Sequence, residues 1–327
     1  MKTGSKRIAV VLFNLGGPDK QEHVRPFLRN LFCDPAIIDL PFGLRHILAE
    51  FISRRRETEA KANYQLMGGG SPLCAETKDQ VLALEQELIA QYPEKTWLCV
   101  MAMRYWYPRA KTTLQKIIDF MPDEVVLLPL YPQFSYTTSG SSFEEWIKLT
   151  SGKNWKTKKV ISYEVDNLFI QSHVKKIIST WELAKKPENI RILFSAHGLP
   201  KKNIEKGDPY QEQIEATVAA IVDHLPDQLQ DTEICYQSRV GRLQWIEPST
   251  IQSVEAAGKE KKNLLVVPVS FVSEHIETLV ELDMEIAEIA KASGVKIYLR
   301  AETLKTHPDF ISSLVGQIQK AGGYNSK

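Results

Sequence analysis

Five glutamates, Glu274, Glu277, Glu281, Glu285 and Glu288, recur at intervals of three and four residues in the last quarter of the chain. At 100° per residue this spacing gathers them within about 80° of arc on one helical face. Like charges at i,i+4 cost roughly 0.2–0.5 kcal/mol per pair, so helix stability alone does not call for such a file. A solvated face of an amphipathic helix is the ordinary explanation. Position suggests another. The file begins where the apolar run Leu264–Val272 ends, a run that reads as a strand buried on both faces of a parallel sheet, with Ser273 as N-cap of the helix that follows. Binding sites of open α/β sheets lie outside the carboxyl ends of their strands, where a helix start could present hard oxygen ligands to a cation.

A second run, Ser195-Ala196-His197-Gly198-Leu199-Pro200, puts an imidazole at the end of another predicted strand. A lone histidine is more often structural. If both strands belong to one sheet, however, His197 can face Glu277, and a histidine with a carboxylate in a partly buried site is a tunable acid/base pair and a borderline ligand set for a divalent transition metal. Tyr105, Tyr131, Phe134, Trp245 and Phe271 collect near other predicted strand ends, as walls of a binding site or as core. A hydrolase built on Ser195 and His197 is disfavoured, because the G-x-S-x-G elbow is absent.

The elements that must position these residues follow a repeating order. Arg7–Leu15 reads as a buried strand closed by Gly16-Gly17-Pro18, and Asp19–Leu31 has helical composition. Ile37–Ile52 spaces Leu44, Ile47, Leu48, Phe51 and Ile52 as a helix, with Arg54-Arg55-Arg56 as its basic last turn or as the edge of an apolar lip suited to a membrane surface. Gly68-Gly69-Gly70-Ser71-Pro72 is a turn before a helix at Ala75–Gln91 and matches no nucleotide-binding pattern. Thr96–Met103 and Glu124–Tyr131 read as further strands, separated by a helix at Ala110–Phe120. The order then recurs: Ile192–Ala196 answers the first strand, Thr232–Cys235 the second and Leu265–Pro268 the third, while Lys159–Tyr163 and Lys296–Leu299 close the two series. The expected fold is α/β, two similar Rossmann-like doubly wound halves with a central cleft, residues 1–165 carrying the apolar lip and 166–327 the histidine and acidic helix.

Composition agrees with a globular protein of that size. The 327 residues are 43% hydrophobic and 25% charged with a formal net charge of +1, which removes any bulk electrostatic case for nucleic acid. Cys33, Cys74, Cys99 and Cys235 lie far apart, so neither a zinc knuckle nor a disulfide scaffold is expected and a reducing compartment fits. With no signal-peptide pattern and no apolar run near the ~20 residues of a spanning helix, a cytoplasmic protein is expected, with peripheral contact at the inner face of the membrane as an option.

Over nearly its whole length the chain resembles the protoporphyrin ferrochelatases. The resemblance is carried by NLGGP (14–18), RRR (54–56), GGGSPL (68–73), RY (104–105), YPQFS (131–135), FSAHGLP (194–200), GDPY (207–210), QSRVG (237–241) with Trp245, and SEHIETLVELD (273–283). It implies a chelatase that inserts ferrous iron into protoporphyrin IX to give protohaem, the last step of haem biosynthesis. Iron is then a substrate, no cofactor is tightly bound and, since no cysteine follows Cys235, no iron–sulfur cluster is expected. The resemblance implies His197 and Glu277 as catalytic residues, and His197, Glu277, Glu281 and Glu285 as the metal path. Leu15, Arg55, Arg56, Ser71, Arg104, Tyr105, Tyr131 and Trp245 fall at porphyrin-contacting positions, to which the aromatic collection adds Phe271. Glu274 stands where the family usually has Asp, which leaves the role of that carboxylate open. A cobalt or coproporphyrin chelatase, or a tetrapyrrole-binding protein without turnover, would share most of these features.

Overall fold

The computed structural model describes residues 5–239 and 243–324; Val240 and Gly241 of the QSRVG run lie outside the described residues. The chain divides into two compact units, Met1–Ser162 with Ile311–Lys327, and Tyr163–Phe310.

In the first unit β1 (Lys6–Asn14) runs inward from an exposed start, and Ile8–Leu12 are fully buried on both faces. Parallel neighbours need crossover connections, and the chain supplies helices for them. α1 (Val24–Phe32), α2 (Phe42–Leu66) and α3 (Leu73–Gln91) lead to β2 (Lys95–Met103), and α4 (Ala110–Phe120) leads to β3 (Glu124–Pro129). A π-helical turn at Tyr136–Gly140, opened by Ser135 accepting from the Thr137 N–H, runs into α5 (Ser141–Leu149), and β4 (Lys156–Lys159) closes the sheet in the order β2-β1-β3-β4. One face of this sheet packs Ala9, Val11, Phe13, Val125 and Leu127 against Ile117 of α4 and Phe143 and Trp146 of α5.

The second unit repeats the plan. α6 (Asn167–Leu183), capped by the Asp166 carboxylate on the Leu168 and Phe169 N–H groups, precedes β5 (Ile190–His197). After α7 (Lys201–Glu205) and α8 (Tyr210–Val222) come β6 (Thr232–Gln237), α9 (Thr250–Lys259) with a Ser249/Gln252 capping box, and β7 (Asn263–Pro268). A π-helical segment, Glu277–Ile286, continues as α10 (Ala287–Ala292), and β8 (Tyr298–Arg300) completes a second all-parallel sheet in the order β6-β5-β7-β8. The matching strand orders bear out the sequence repeat. Leu193, Leu264 and Val266 of this sheet bury against Val254 and Ala257 of α9, Leu282 and Ile286 of the π-helix and Ala290 of α10.

Several local expectations are corrected. The strand predicted over Leu264–Val272 stops at Pro268: Val269 still donates to the Ser195 carbonyl of β5, and then Phe271 donates back to the Pro268 carbonyl in a turn that takes the chain out of the sheet. The N-terminal neighbour of the π-helix is Ile276 rather than Ser273, which is buried upstream. Arg54, Arg55 and Arg56 do not form a basic last turn. α2 runs on from Arg56 to Leu66 with no Gly or Pro to stop it, so the three arginines lie in mid-helix. The closing strands lie at Lys156–Lys159, which begins three residues before the expected Lys159–Tyr163, and at Tyr298–Arg300, which begins two residues after the expected start at Lys296. The sequence division assigned 166–327 to the second half, whereas residues 311–327 belong with the first unit. There Tyr324 donates its hydroxyl to Glu124 and sets its ring edge-on to Trp97, with centroids 5.8 Å apart.

Candidate active site

In the second unit the chemistry gathers where β5 and β6 end. His197 is the last residue of β5, in register with Gln237, the last residue of β6. The next residue must be glycine: a Cβ on Gly198 would meet the Gln237 carbonyl oxygen at 2.9 Å and the Trp245 ring at 3.3 Å. Trp245 is held there by an antiparallel bridge to Pro200, and its indole N–H is buried with no partner among the described residues.

His197 Nδ1 lies 2.8 Å from Glu277 Oε2, the contact expected from the sequence. Glu277 opens the π-helix, and its backbone N–H donates to His275 Nδ1 at 3.1 Å, while the His275 ring stands edge-on to Phe271 at 4.4 Å. Ser238, with φ of +62°, carries its hydroxyl 3.2 Å from Glu277 Oε2 and 2.5 Å from Glu281 Oε2, and its N–H donates to Glu281 Oε1 at 2.7 Å. The left-handed region is sparsely populated by non-glycine residues, and such conformations recur at functional sites. The Gln237 amide donates to the Glu277 carbonyl at 2.9 Å and to Glu281 Oε2 at 3.2 Å, and is oriented by the buried Ser195 hydroxyl, which donates to Gln237 Oε1 at 2.7 Å. Ser195 is thus a support for Gln237, with no exposed surface from which to act as a nucleophile.

Electrostatics separate the three titrating groups. Burial opposes charge on His197, but the Glu277 carboxylate beside it, with Glu281 beyond, outweighs burial and raises the imidazole above its ordinary range. Burial likewise opposes charge on Glu277, yet His197, His275 and the Ser238 hydroxyl hold it down to about 2. Glu281 goes the other way, raised by burial and by the negative charge of Glu277. The file of five glutamates is therefore not one face. Glu274 is buried and ion-paired to Arg300 at 2.9 Å, Glu277 and Glu281 meet at Ser238, and Glu285 and Glu288 are exposed. Glu274 precedes the helix altogether, and from Glu277 on the i→i+5 winding departs from 100° per residue, which also brings Leu282 into the core. Among the described residues no three His, Cys, Asp or Glu side chains converge closely enough to hold a metal ion.

The first unit holds the other predicted residues. Gly16, at φ +82°, turns the chain after Leu15, whose carbonyl accepts from the Tyr105 N–H at 2.9 Å, and the Ser71 N–H donates to the Pro18 carbonyl at 2.7 Å. Leu15, Ser71 and Arg104 are half-buried around this turn. Arg104 pairs with Asp34 and with Glu145, each at 2.7 Å, and the buried Tyr105 donates its hydroxyl to Asp34 at 2.8 Å. Tyr131 is half-buried, and burial pushes its phenol up against the pull of Arg104. Arg55 is exposed and Arg56 half-exposed on α2. The residues that motif reading did not assign are Ser238, Gln237, Asp34, Glu145 and Arg300; the first two stand in the QSRVG run, the one sequence signal that could have found them.

The family model for ferrochelatase matches residues 7–321. The chain belongs to the ferrochelatase family. Relatives named ferrochelatase include those of Caulobacter vibrioides, 52% identical over 319 residues that cover 98% of this chain and 91% of the relative, and of Phenylobacterium zucineum, 51% identical over 320 residues covering 97% and 93%. Among solved structures, SirB from Bacillus subtilis with Fe3+ aligns with a TM-score of 0.58 at 10% identity over 98% of this chain and all of SirB. CbiX, the terminal enzyme for biosynthesis of siroheme in denitrifying bacteria, aligns with a TM-score of 0.52 at 12% identity, covering 97% and 99%. At such identities these two bear on the fold alone, and they agree with an α/β chelatase architecture.

Proposed function

We propose that the cluster around His197 is the catalytic centre at which this member of the ferrochelatase family inserts ferrous iron into protoporphyrin IX to form protohaem. The His197–Glu277 contact carries the reading, supported by family membership over nearly the whole chain. Insertion exchanges two pyrrole protons for one Fe²⁺: four N–Fe bonds form, two N–H bonds break, and iron keeps its oxidation state. The reaction needs a base, somewhere for the protons to go, and anionic oxygens that hold iron and release it.

His197 takes the first pyrrole proton and Glu277 stabilises the resulting imidazolium; once that proton has passed by way of Glu277 and Ser238 to the Glu281 carboxylate, His197 is neutral again and takes the second. The Ser238 hydroxyl stands within reach of both carboxylates and donates to Glu281 Oε2 over the shorter distance, so it can accept a proton from the Glu277 side while giving its own to the Glu281 carboxylate. The raised pKa of Glu281 suits that role and makes Ser238 a bridge along which a proton can move. Glu277 and Glu281, followed by the exposed Glu285, supply carboxylate oxygens for the incoming iron.

A porphyrin is a flat apolar disc with two carboxylates on one edge. Within the second unit Trp245 and Phe271 offer aromatic surface to such a disc; within the first, Leu15 and Tyr131 stand at the apolar and aromatic positions, and Ser71, Arg55 and Arg56 at the donor positions for propionates, that the family resemblance implies. Arg104 is matched by Asp34 and Glu145, and Tyr105 is committed to Asp34, so both act by shaping the wall near Tyr131. Phe42, Leu44, Ile47 and Phe51 of α2 are all at least 60% exposed and form an apolar lip for weak, reversible contact with a membrane surface, beside which an amphiphilic substrate can be met. No helix among the described residues is long and apolar enough to cross a membrane.

The test is an anaerobic activity matrix of Fe²⁺ and Co²⁺ against protoporphyrin IX and coproporphyrin. The expected outcome is highest kcat/KM for Fe²⁺ with protoporphyrin IX. A preference for cobalt or coproporphyrin would overturn the substrate assignment, and stoichiometric binding without metallation would overturn the activity.

A further inference from the structure

Both flanks of the stretch that carries Glu277 and Glu281 are tied to one residue of β8. Arg300 meets Asp283 in a fork, Nε to Oδ1 and Nη2 to Oδ2 both at 2.6 Å, and sends Nη1 to the two oxygens of Glu274 at 2.9 and 3.1 Å. Glu274 also accepts the Thr303 N–H at 3.0 Å, and from the same strand Tyr298 donates its hydroxyl to the Leu282 carbonyl at 2.7 Å. Arg300 and Glu274 are almost wholly buried, with side chains 9% and 4% exposed, while Asp283 is 32% exposed. The planar guanidinium fixes direction as well as distance to each carboxylate, which a flexible ammonium does not.

Resting on the proposed chelatase reading and deepening it, we propose that Arg300 is a positioning residue: by gripping Glu274 and Asp283 it holds the π-helical segment between them, and so sets where the Glu277 and Glu281 carboxylates stand relative to His197 and Ser238. A π-helical run of this length is uncommon, and Arg300 supplies it with support from outside the helix. A buried ion network contributes little net stability compared with apolar side chains, so its use is sought in geometry. The assignment also accounts for Glu274, whose carboxylate is bound by Arg300 and not by His197.

Arg300→Met removes the fork while keeping bulk. Residues that support metal-binding side chains typically change metal affinity or activity by 10–100-fold, so the variant should raise KM for Fe²⁺ about 10-fold or more with protoporphyrin Kd, read by fluorescence quenching, within about twofold of wild type. Arg300→Lys should recover part of the loss, since one ammonium can still pair with one carboxylate. Should Arg300→Met fail to fold, Asp283→Asn carries the test: it keeps the buried Glu274–Arg300 pair, frees the partly exposed end, and should shift KM for Fe²⁺ in the same direction by less. A folded variant with unchanged KM for Fe²⁺, or equal losses in iron and porphyrin binding, would overturn the proposal. A second readout is independent of turnover. The downfield proton NMR resonance of the His197 Nδ1–H bonded to Glu277, assigned by its loss in His197→Ala, should move upfield or vanish in Arg300→Met; an unchanged resonance would overturn the clamp. Absence of iron insertion by the wild-type enzyme in the same assays would instead overturn the chelatase reading.

Discussion

At the scale of single residues, the His197–Glu277 pair makes a pH prediction whose sign is fixed by the two opposite shifts. A base must be neutral to act, and Glu277 raises the His197 pKa, so the acidic limb of kcat/KM should have its midpoint above 6.5. Glu277→Gln removes the attraction and leaves burial in charge, so the midpoint should move to lower pH even as turnover falls; a midpoint that stays put would contradict the assignment of the limb to His197. Stability follows the same pair. The raised His197 contributes stability below 6.5 that is lost as pH climbs through its folded pKa, and the depressed Glu277 contributes stability above 4.5 that is lost as pH falls toward about 2. The difference in Tm between wild type and Glu277→Gln should therefore be largest between pH 4.5 and 6.5, the window between the two ordinary values. His197 and Glu277 were legible because each follows the end of a buried apolar run. Ser238 and Arg300 were not, since an ordinary serine and arginine acquire their roles only through contacts 17 to 43 residues away in sequence.

The π-helix is where pattern and structure part company. Its type is invisible to a periodicity drawn at 100° per residue, and the five-glutamate file dissolves once the helix is seen to start after Glu274 and to wind differently: one carboxylate is buried in an ion pair, two meet at Ser238 and two face solvent. The strands were easier, because Ile8–Leu12 and Leu264–Val267 are buried on both faces and such runs are apolar throughout. Gln substitutions along the element should give a graded series. Glu281→Gln should raise KM for Fe²⁺ about 10-fold, Glu285→Gln should have a smaller effect, and Glu288→Gln none, all with near wild-type Tm. Steady-state kinetics with varied Fe²⁺ would check this. Equal effects at the three positions would argue that net charge, and not the contacts at Ser238, is what the carboxylates contribute.

For the whole molecule, the same strand order in both units bears out the repeat read from short matching runs. The return of residues 311–327 to the first unit was hidden, because it depends on Tyr324 meeting Trp97 and Glu124 from the far end of the chain. Of the apolar stripe read for the lip, Leu44, Ile47 and Phe51 are uncovered within their unit, Leu48 is half-buried, and Phe42, which the stripe did not include, is exposed beside them. Replacing Leu44, Ile47 and Phe51 with Ser should abolish co-flotation with liposomes while kcat in detergent stays within about twofold, because exposed positions carry little else. Wild-type protein that fails to float with lipid would exclude the membrane role.

Iron insertion by His197→Ala tests the central claim most directly. Removing a general base costs typically 10²–10⁴-fold, so the variant should lose at least about a hundredfold in kcat with Fe²⁺ and protoporphyrin IX while remaining folded and keeping its porphyrin affinity. Retention of more than about a tenth of wild-type kcat would contradict the account and leave the Glu277–Ser238–Glu281 cluster without the base it is built around.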